Sequence, residues 1–66
     1  MRVDVNGVGR EVEDGTTLAS LIEAVTGSCR GSAAALDGEV VPRSEWASCP
    51  LRSGQSIELI TAMQGG

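Results

Sequence analysis

The sequence predicts an α+β fold: a small mixed sheet of four to five strands, crossed by one main helix. Two observations carry this prediction. Short segments alternate apolar with polar residues, as half-buried strands do, and one segment has the spacing of an amphipathic helix. With 66 residues the chain suffices for one domain, which we expect to span residues 1–66.

A β-hairpin is predicted at the start of the chain. Residues 1–5 alternate apolar with polar side chains, and residues 8–12 continue the alternation. Asn6 and Gly7 lie between these segments, and this dipeptide is a strong signal for a two-residue hairpin turn. We therefore expect two antiparallel strands joined at Asn6-Gly7.

One helix is predicted after the hairpin. Thr16 or Thr17 marks its start, because either hydroxyl can cap the first turn, and Gly27 is suited to a left-handed C-cap at its end. The apolar residues between them recur with helical spacing and form one stripe: Leu18, Leu21, Ile22 and Val25. This stripe should pack on one face of the sheet.

The second half of the chain supplies the remaining strands. Residues 33–36 are an apolar run, which the following Asp37-Gly38 identifies as a strand entering a turn. Pro42 ends the next strand, because proline cannot donate a hydrogen bond to a ladder. Residues 57–62 alternate again and predict the last strand.

A short helical turn and the last strand complete the predicted fold. Residues 44–48 form the turn, with Ser44 as its cap and Trp46 pointing inward. The last strand buries the most apolar surface if it pairs in parallel beside the first. That arrangement is the β-grasp, or ubiquitin-like, architecture, with residues 63–66 projecting as a flexible functional tail.

The composition argues against an enzyme. The chain contains no histidine, the residue that most often serves general acid–base catalysis at neutral pH and commonly binds metals. Cys29 and Cys49 form no CxxC pair, and a zinc site would need more ligands than the sequence supplies. We expect both cysteines to be small apolar residues without a disulfide, and we expect no bound metal.

The charge pattern indicates a protein partner and not nucleic acid. The net charge is −4, and the five cationic side chains are scattered arginines, whereas phosphate binding needs clustered Lys or Arg. An acidic surface suits docking on a basic protein surface. Since neither a signal peptide nor a membrane-length apolar run is present, we expect a cytoplasmic protein, monomeric when free, without a membrane partner.

The chain ends in Gly65-Gly66. Glycine has no Cβ, so such a tail can thread a narrow channel in another protein. The carboxylate at its end is an unhindered acyl group that a partner's active site can reach. Disorder also concentrates at chain ends, so a terminal diglycine alone is weak evidence of function. The residues before the tail provide the more specific evidence.

Two segments resemble the ubiquitin-like sulfur-carrier family, in the branch that serves thiamine (thiazole) biosynthesis. One runs from Leu36 to Trp46 and contains Val-Pro-Arg-x-x-Trp, and the other runs from Ile57 to Gly66 and contains Thr-Ala-x-Gln-Gly-Gly. Together they are more specific than the diglycine alone, and the similarity covers the whole chain. Asp37 stands where such proteins often have asparagine, a change that keeps the turn chemistry.

The resemblance implies a carrier, not an enzyme. In this family an E1-like adenylating enzyme uses ATP and Mg²⁺ to activate the terminal carboxylate, and a sulfur donor such as a cysteine desulfurase converts it to a thiocarboxylate. Thiazole synthase then takes up the tail. The resemblance implies that Gly66 carries the sulfur, that Gly65, Gln64 and Met63 thread into the partners, and that the carrier binds no cofactor stably.

A docking face for these partners is predicted from the alternation of the last strand. If Ile57 and Leu59 pack on the helix, the residues between them face the other side of the sheet. The expected docking residues are Ile60, Ala62 and Glu58, with Ala33 and Ala35 on the neighbouring strand. A partner that grips the tail must cover the surface from which the tail leaves.

Three alternatives stay open from the sequence. A carrier of the same chemistry could serve molybdopterin or another sulfur-containing metabolite. A ubiquitin-like modifier could be conjugated to target lysines through Gly66. A plain interaction domain could carry an accidental diglycine end.

Overall fold

The structure, a computed structural model, describes residues 1–27 and 32–61. The elements in chain order are β1 (Arg2–Val5), β2 (Val8–Glu11), α1 (Leu18–Thr26), β3 (Ser32–Leu36), β4 (Glu39–Val41), the 3₁₀ helix η1 (Arg43–Ser48) and β5 (Ser56–Thr61). The strands form one sheet in the order β2-β1-β5-β3-β4. β1 and β5 are parallel and the other neighbours antiparallel, so the predicted mixed sheet is confirmed.

Two tight turns connect the hairpin strands. Asn6 and Gly7 have φ angles of 52° and 84°, and Asp37 and Gly38 have φ angles of 50° and 87°. Two successive positive φ angles are the mark of a type I′ turn, whose twist matches that of the strands it joins. Both hairpin turns that the sequence predicts are therefore confirmed.

Helix α1 begins and ends where the sequence predicts. Thr17 is its N-cap, and its Oγ1 accepts a hydrogen bond of 3.2 Å from the backbone N–H of Ser20. Gly27 is the C-cap with a φ of 77°, and its N–H donates to the Glu23 carbonyl at 2.7 Å. Of the predicted apolar stripe, three residues are buried and Val25 is half-buried against the core.

Helix η1 departs from the prediction at its start. It begins at Arg43, with Pro42 at the N-cap and no side-chain hydrogen bond there, so the expected cap at Ser44 is wrong. The proline ring holds φ at −58° and sets the direction in which the chain enters the turn. Trp46 is buried as expected, and its Nε1–H donates a hydrogen bond of 2.8 Å to the Val41 carbonyl.

The core lies between α1 and one face of the sheet. Its buried residues are Val3, Val5, Leu18, Leu21, Ile22, Ala34, Trp46, Leu51, Ile57 and Leu59. Burial of each large aliphatic side chain contributes about 1.5–3 kcal/mol to folding, which suits a domain this small. The opposite side of the sheet carries no helix in the described ranges, and we call it the open face.

Candidate functional site

Strand β5 has one buried and one exposed side. Ile57 and Leu59 are 0% and 8% exposed beneath α1, whereas Ile60 is 68% exposed on the open face. Glu58 shares the open face with Ile60, because successive side chains of a strand alternate. β5 therefore faces the way its alternation predicts, while a docking role for Ile60 and Glu58 stays a prediction.

Small residues of β3 lie beside these two side chains. Ala33 is exposed directly opposite Ile60, and Ala35 is half-buried opposite Glu58. Paired residues in an antiparallel ladder point to the same side of the sheet, so all four lie on the open face. Because the methyl groups of Ala33 and Ala35 are short, the side chains of Ile60 and Glu58 project farther from the open face than those of their neighbours on β3.

Val40 adds an apolar side chain that sequence reasoning missed. It lies opposite Ala35 in the β3–β4 register and is 74% exposed. The signal was present, because the two-residue turn at Asp37-Gly38 fixes the register and so places Val40 beside Ala35. We define the open-face patch as Ile60, Ala33, Ala35 and Val40, with Glu58 among them.

The part of the open face on β1 and β2 is charged. Asp4 is paired with Gly9, and Arg2 with Glu11, and these side chains point away from the buried Val3. A Cβ built on Gly9 would lie 2.6 Å from Arg2 Nη2, so the guanidinium lies over this glycine. The open face therefore has a largely apolar patch on one half and charges of both signs on the other.

The side chain of Asn6 holds β5 near its end. Its Nδ2–H donates a hydrogen bond of 3.1 Å to the Leu59 carbonyl, and the Leu59 N–H donates one of 2.8 Å to Asn6 Oδ1. The backbone N–H of Asn6 donates to the Ile57 carbonyl at 2.8 Å. Asn6 thus extends the pairing of β5 beyond Val5, where β1 ends.

Asp37 holds the start of β5 in a similar way. Its N–H donates to the Ser56 carbonyl at 2.8 Å, and the Ser56 N–H donates to Asp37 Oδ1 at 2.9 Å. Asn6 and Asp37 both precede the glycine of a type I′ turn. Sequence reasoning assigned the two residues to turns and missed their contacts to β5, because those contacts join positions 53 and 19 residues apart.

The residues predicted to carry the sulfur and to thread into partners lie outside the described ranges. They are Met63, Gln64, Gly65 and Gly66, together with the docking residue Ala62. Thr61 is the last described residue, so the open-face patch reaches to within a few positions of the tail. Cys29 also lies outside these ranges, whereas Cys49 is a free, half-buried thiol packed against the core.

What the described residues present is a surface and not a cavity. Within residues 1–27 and 32–61 there is no pocket, and no group of three or more His, Cys, Asp or Glu could hold a metal ion. Neither helix in those ranges is both long and apolar enough to cross a membrane.

The sequence profile of the ThiS family matches residues 3–66. This chain belongs to the ThiS family. The match covers both segments on which the sequence resemblance rests, and it extends through the terminal diglycine. No curated protein shows a significant sequence match to the chain.

Two solved structures are similar to this ThiS-family chain, and both are of a thiamine biosynthesis protein (ThiS) from Geobacter metallireducens. The crystal structure has a TM-score of 0.83 at 25% identity and covers 100% of both chains. The NMR structure has a TM-score of 0.81 at 25% identity and covers 100% of this chain and 88% of that one. The predicted β-grasp fold is therefore confirmed.

Proposed function

We propose that this chain carries sulfur for the thiazole ring of thiamine, held as a thiocarboxylate on Gly66. The observation that carries the proposal is the ThiS family match, which runs from β1 through Gly66. The two similar structures support the same pathway, because each is described as a thiamine biosynthesis protein.

The carboxylate of Gly66 has to be activated before sulfur can be attached, because its negative charge repels nucleophiles. An E1-like adenylating enzyme joins a carboxylate oxygen to the α-phosphorus of ATP and releases pyrophosphate. The product is an acyl-adenylate with AMP as a good leaving group. ATP and Mg²⁺ act in the partner's site in this scheme.

Sulfur then enters by displacement of AMP. The terminal sulfur of a persulfide, on a donor such as a cysteine desulfurase, attacks the carbonyl carbon of Gly66, and the bond from that carbon to the AMP oxygen breaks. A thiol reductant cleaves the sulfur–sulfur bond and leaves the thiocarboxylate. Thiazole synthase takes up the tail and the sulfur passes to the ring precursor. The bond between that sulfur and the Gly66 carbonyl carbon breaks, and an oxygen atom from the precursor or from water restores the carboxylate.

In this cycle the carrier contributes the tail that enters the partners' active sites and no catalytic group. The chain has no histidine, and the proposed chemistry needs no acid, base or metal from it. Gly65 gives a thin approach to Gly66, and Gln64 and Met63 complete the segment that enters a partner. The thiocarboxylate stays attached to the protein, so sulfur does not diffuse away as sulfide.

The open-face patch is the proposed docking surface for the adenylating enzyme. Ile60 is large, apolar and mostly exposed, and it lies six positions before Gly66 in the sequence. An exposed apolar patch surrounded by polar groups is typical of protein–protein contact. Docking here places the start of the tail beside the partner, with Ala62 continuing the contact.

ATP–pyrophosphate exchange with an E1-like adenylating enzyme of a thiamine pathway tests the proposal. We expect the intact chain to support exchange, and a chain lacking Gly66 to fold normally without supporting it. A chain extended by one alanine beyond Gly66 is the matched variant, because it keeps both glycines but moves the carboxylate. Full exchange with either altered chain would contradict the assignment of Gly66.

A further inference from the structure

Asn6 occupies a position that few residues can fill. Its φ of 52° lies in the left-handed region, where glycine, asparagine and aspartate are the best tolerated residues. Its side chain also donates one hydrogen bond to Leu59 and accepts another from it. Asparagine is the one of these three residue types whose side chain both donates and accepts, because glycine has no side chain and an ionised aspartate only accepts.

The bridge from Asn6 to Leu59 lies where β5 loses its backbone partner on the β1 side. The β1–β5 register extends to Ile57, after which the first hairpin turns away. On its other side β5 stays paired with β3 as far as Thr61. Among the described residues, this bridge is therefore the last hydrogen-bonded link from the first hairpin before the chain continues toward Gly66.

We propose that Asn6 is a positioning residue that fixes where the tail leaves the sheet relative to the open-face patch. This inference rests on the proposed function. Ile60 of the patch directly follows Leu59 and is also paired with Ala33 of β3, so the bridge adds a second support to β5 just before the chain continues toward the tail. A partner that binds Ile60 and must also receive Gly66 needs a fixed geometry between them.

Loss of the bridge should loosen the end of β5 without unfolding the domain. The strand end would then be held by β3 along one edge, and strand ends with few supporting contacts open most readily. The core residues Ile57 and Leu59 would remain beneath α1. The expected effect is poorer delivery of the tail by a carrier that still docks.

Asp37 offers a matched control within the same strand. It also precedes glycine in a type I′ turn, with a φ of 50°, and its Oδ1 accepts from the Ser56 N–H at the start of β5. Asn6→Gly and Asp37→Gly both produce Gly-Gly, which suits type I′ turns. Each variant removes side-chain support from β5, but only Asn6→Gly does so at the end next to the tail.

The experiment compares the two glycine variants with the unchanged chain. We expect both to be folded, with the larger decrease in Tm for Asn6→Gly, which loses two side-chain hydrogen bonds where Asp37→Gly loses one. In Asn6→Gly, amide hydrogen exchange at residues 59–61 should accelerate by about tenfold or more, while Asp37→Gly leaves those amides near wild type. With an E1-like adenylating enzyme and ATP, Asn6→Gly should lower kcat for adenylation by about tenfold with little change in KM, and Asp37→Gly should change neither.

Asn6→Asp separates the effect of the hydrogen bond that Asn6 donates from the effect of the one that it accepts. Asn6→Asp keeps the turn chemistry and the acceptor for the Leu59 N–H but loses the donor to the Leu59 carbonyl. Its kcat should fall between those of the unchanged chain and Asn6→Gly. Equal rates for Asn6→Gly and Asp37→Gly, with the unchanged chain active, would overturn the positioning role alone. Absence of adenylation in the unchanged chain would overturn the proposed function, and the positioning role with it.

Discussion

Ile60 of β5 lies directly opposite Ala33 of β3, on the face of the sheet that α1 leaves uncovered. The pairing puts a large exposed aliphatic side chain next to a methyl group, close to the point where the chain continues toward Gly66. In the proposed function, a partner that holds the tail also contacts this surface. The relation between Ile60 and the tail is therefore the basis of the docking proposal.

Replacing Ile60 with aspartate should weaken docking and leave the fold intact. The side chain is 68% exposed, so a charge there costs little folding free energy. If Ile60 is central to the interface, the Kd for the adenylating enzyme should rise by about tenfold or more. Isothermal titration calorimetry measures the Kd, and Trp46 fluorescence measures the Tm.

Val8→Asp is the matched control for Ile60→Asp. Val8 is 64% exposed on the edge strand β2, outside the open-face patch, and the variant adds the same negative charge. Its Kd should stay near wild type. Equal weakening by both variants would indicate an effect of net charge and would contradict the patch, and unfolding of Ile60→Asp would show that Ile60 belongs to the core.

Replacing Trp46 with phenylalanine should destabilise the domain. The change removes the hydrogen bond to the Val41 carbonyl and leaves unfilled volume in the core, at a cost of about 1–3 kcal/mol. Since Trp46 is the one aromatic residue, urea unfolding should be followed by circular dichroism in this variant. A free energy of unfolding equal to that of the wild type would contradict the role given to the indole N–H.

Gly27→Ala and Gly9→Ala should lower the free energy of unfolding by different amounts, because alanine is unfavourable for a different reason at each position. In Gly27→Ala, the new Cβ has no atom within 4 Å. The φ of +77° is unfavourable for alanine, however, and should cost about 1–2 kcal/mol of folding free energy. In Gly9→Ala, the three atoms nearest to the new Cβ all belong to the guanidinium of Arg2. That flexible side chain can move aside. Urea unfolding of both variants should therefore show the larger loss for Gly27→Ala, and the reverse order would contradict this reasoning.

The local parts of the fold could be predicted from the sequence because their signals are local. Asn6-Gly7 and Asp37-Gly38 adopt the positive φ angles of their turn type, and Thr17 caps α1 as expected. Local reasoning failed at Ser44, because Pro42 already occupies the start of η1. The signals that succeeded depend on residues a few positions apart.

Contacts between distant segments could not be predicted in the same way. The amide of Asn6 bonds to Leu59, 53 positions away, and nothing in the Asn-Gly pattern specifies that partner. Val40 was missed for another reason: the local turn at Asp37-Gly38 fixes its register with β3, and that signal was not used. The proposed sulfur-carrying residue, Gly66, was inferred from the diglycine and the family resemblance, which need no tertiary contact.

Replacing both cysteines should leave sulfur loading intact. Cys49 packs against the core as a free thiol, and the proposed sulfur acceptor is the carboxylate of Gly66. A double variant with alanine at Cys29 and Cys49 should form thiocarboxylate at the wild-type yield, with a modest loss of stability from the smaller side chain at Cys49. Failure of a folded double variant to load sulfur would show that a cysteine takes part in the transfer.

The central claim is that Gly66 carries the sulfur, and intact mass spectrometry tests it most directly. The chain is incubated with its E1-like adenylating enzyme, ATP, Mg²⁺, a cysteine desulfurase with cysteine, and a thiol reductant. We predict a mass increase equal to the replacement of one oxygen by sulfur, localised by fragmentation to the peptide that ends in Gly66. An unchanged mass in a mixture that loads an established carrier, or sulfur localised to Cys29 or Cys49, would contradict the claim.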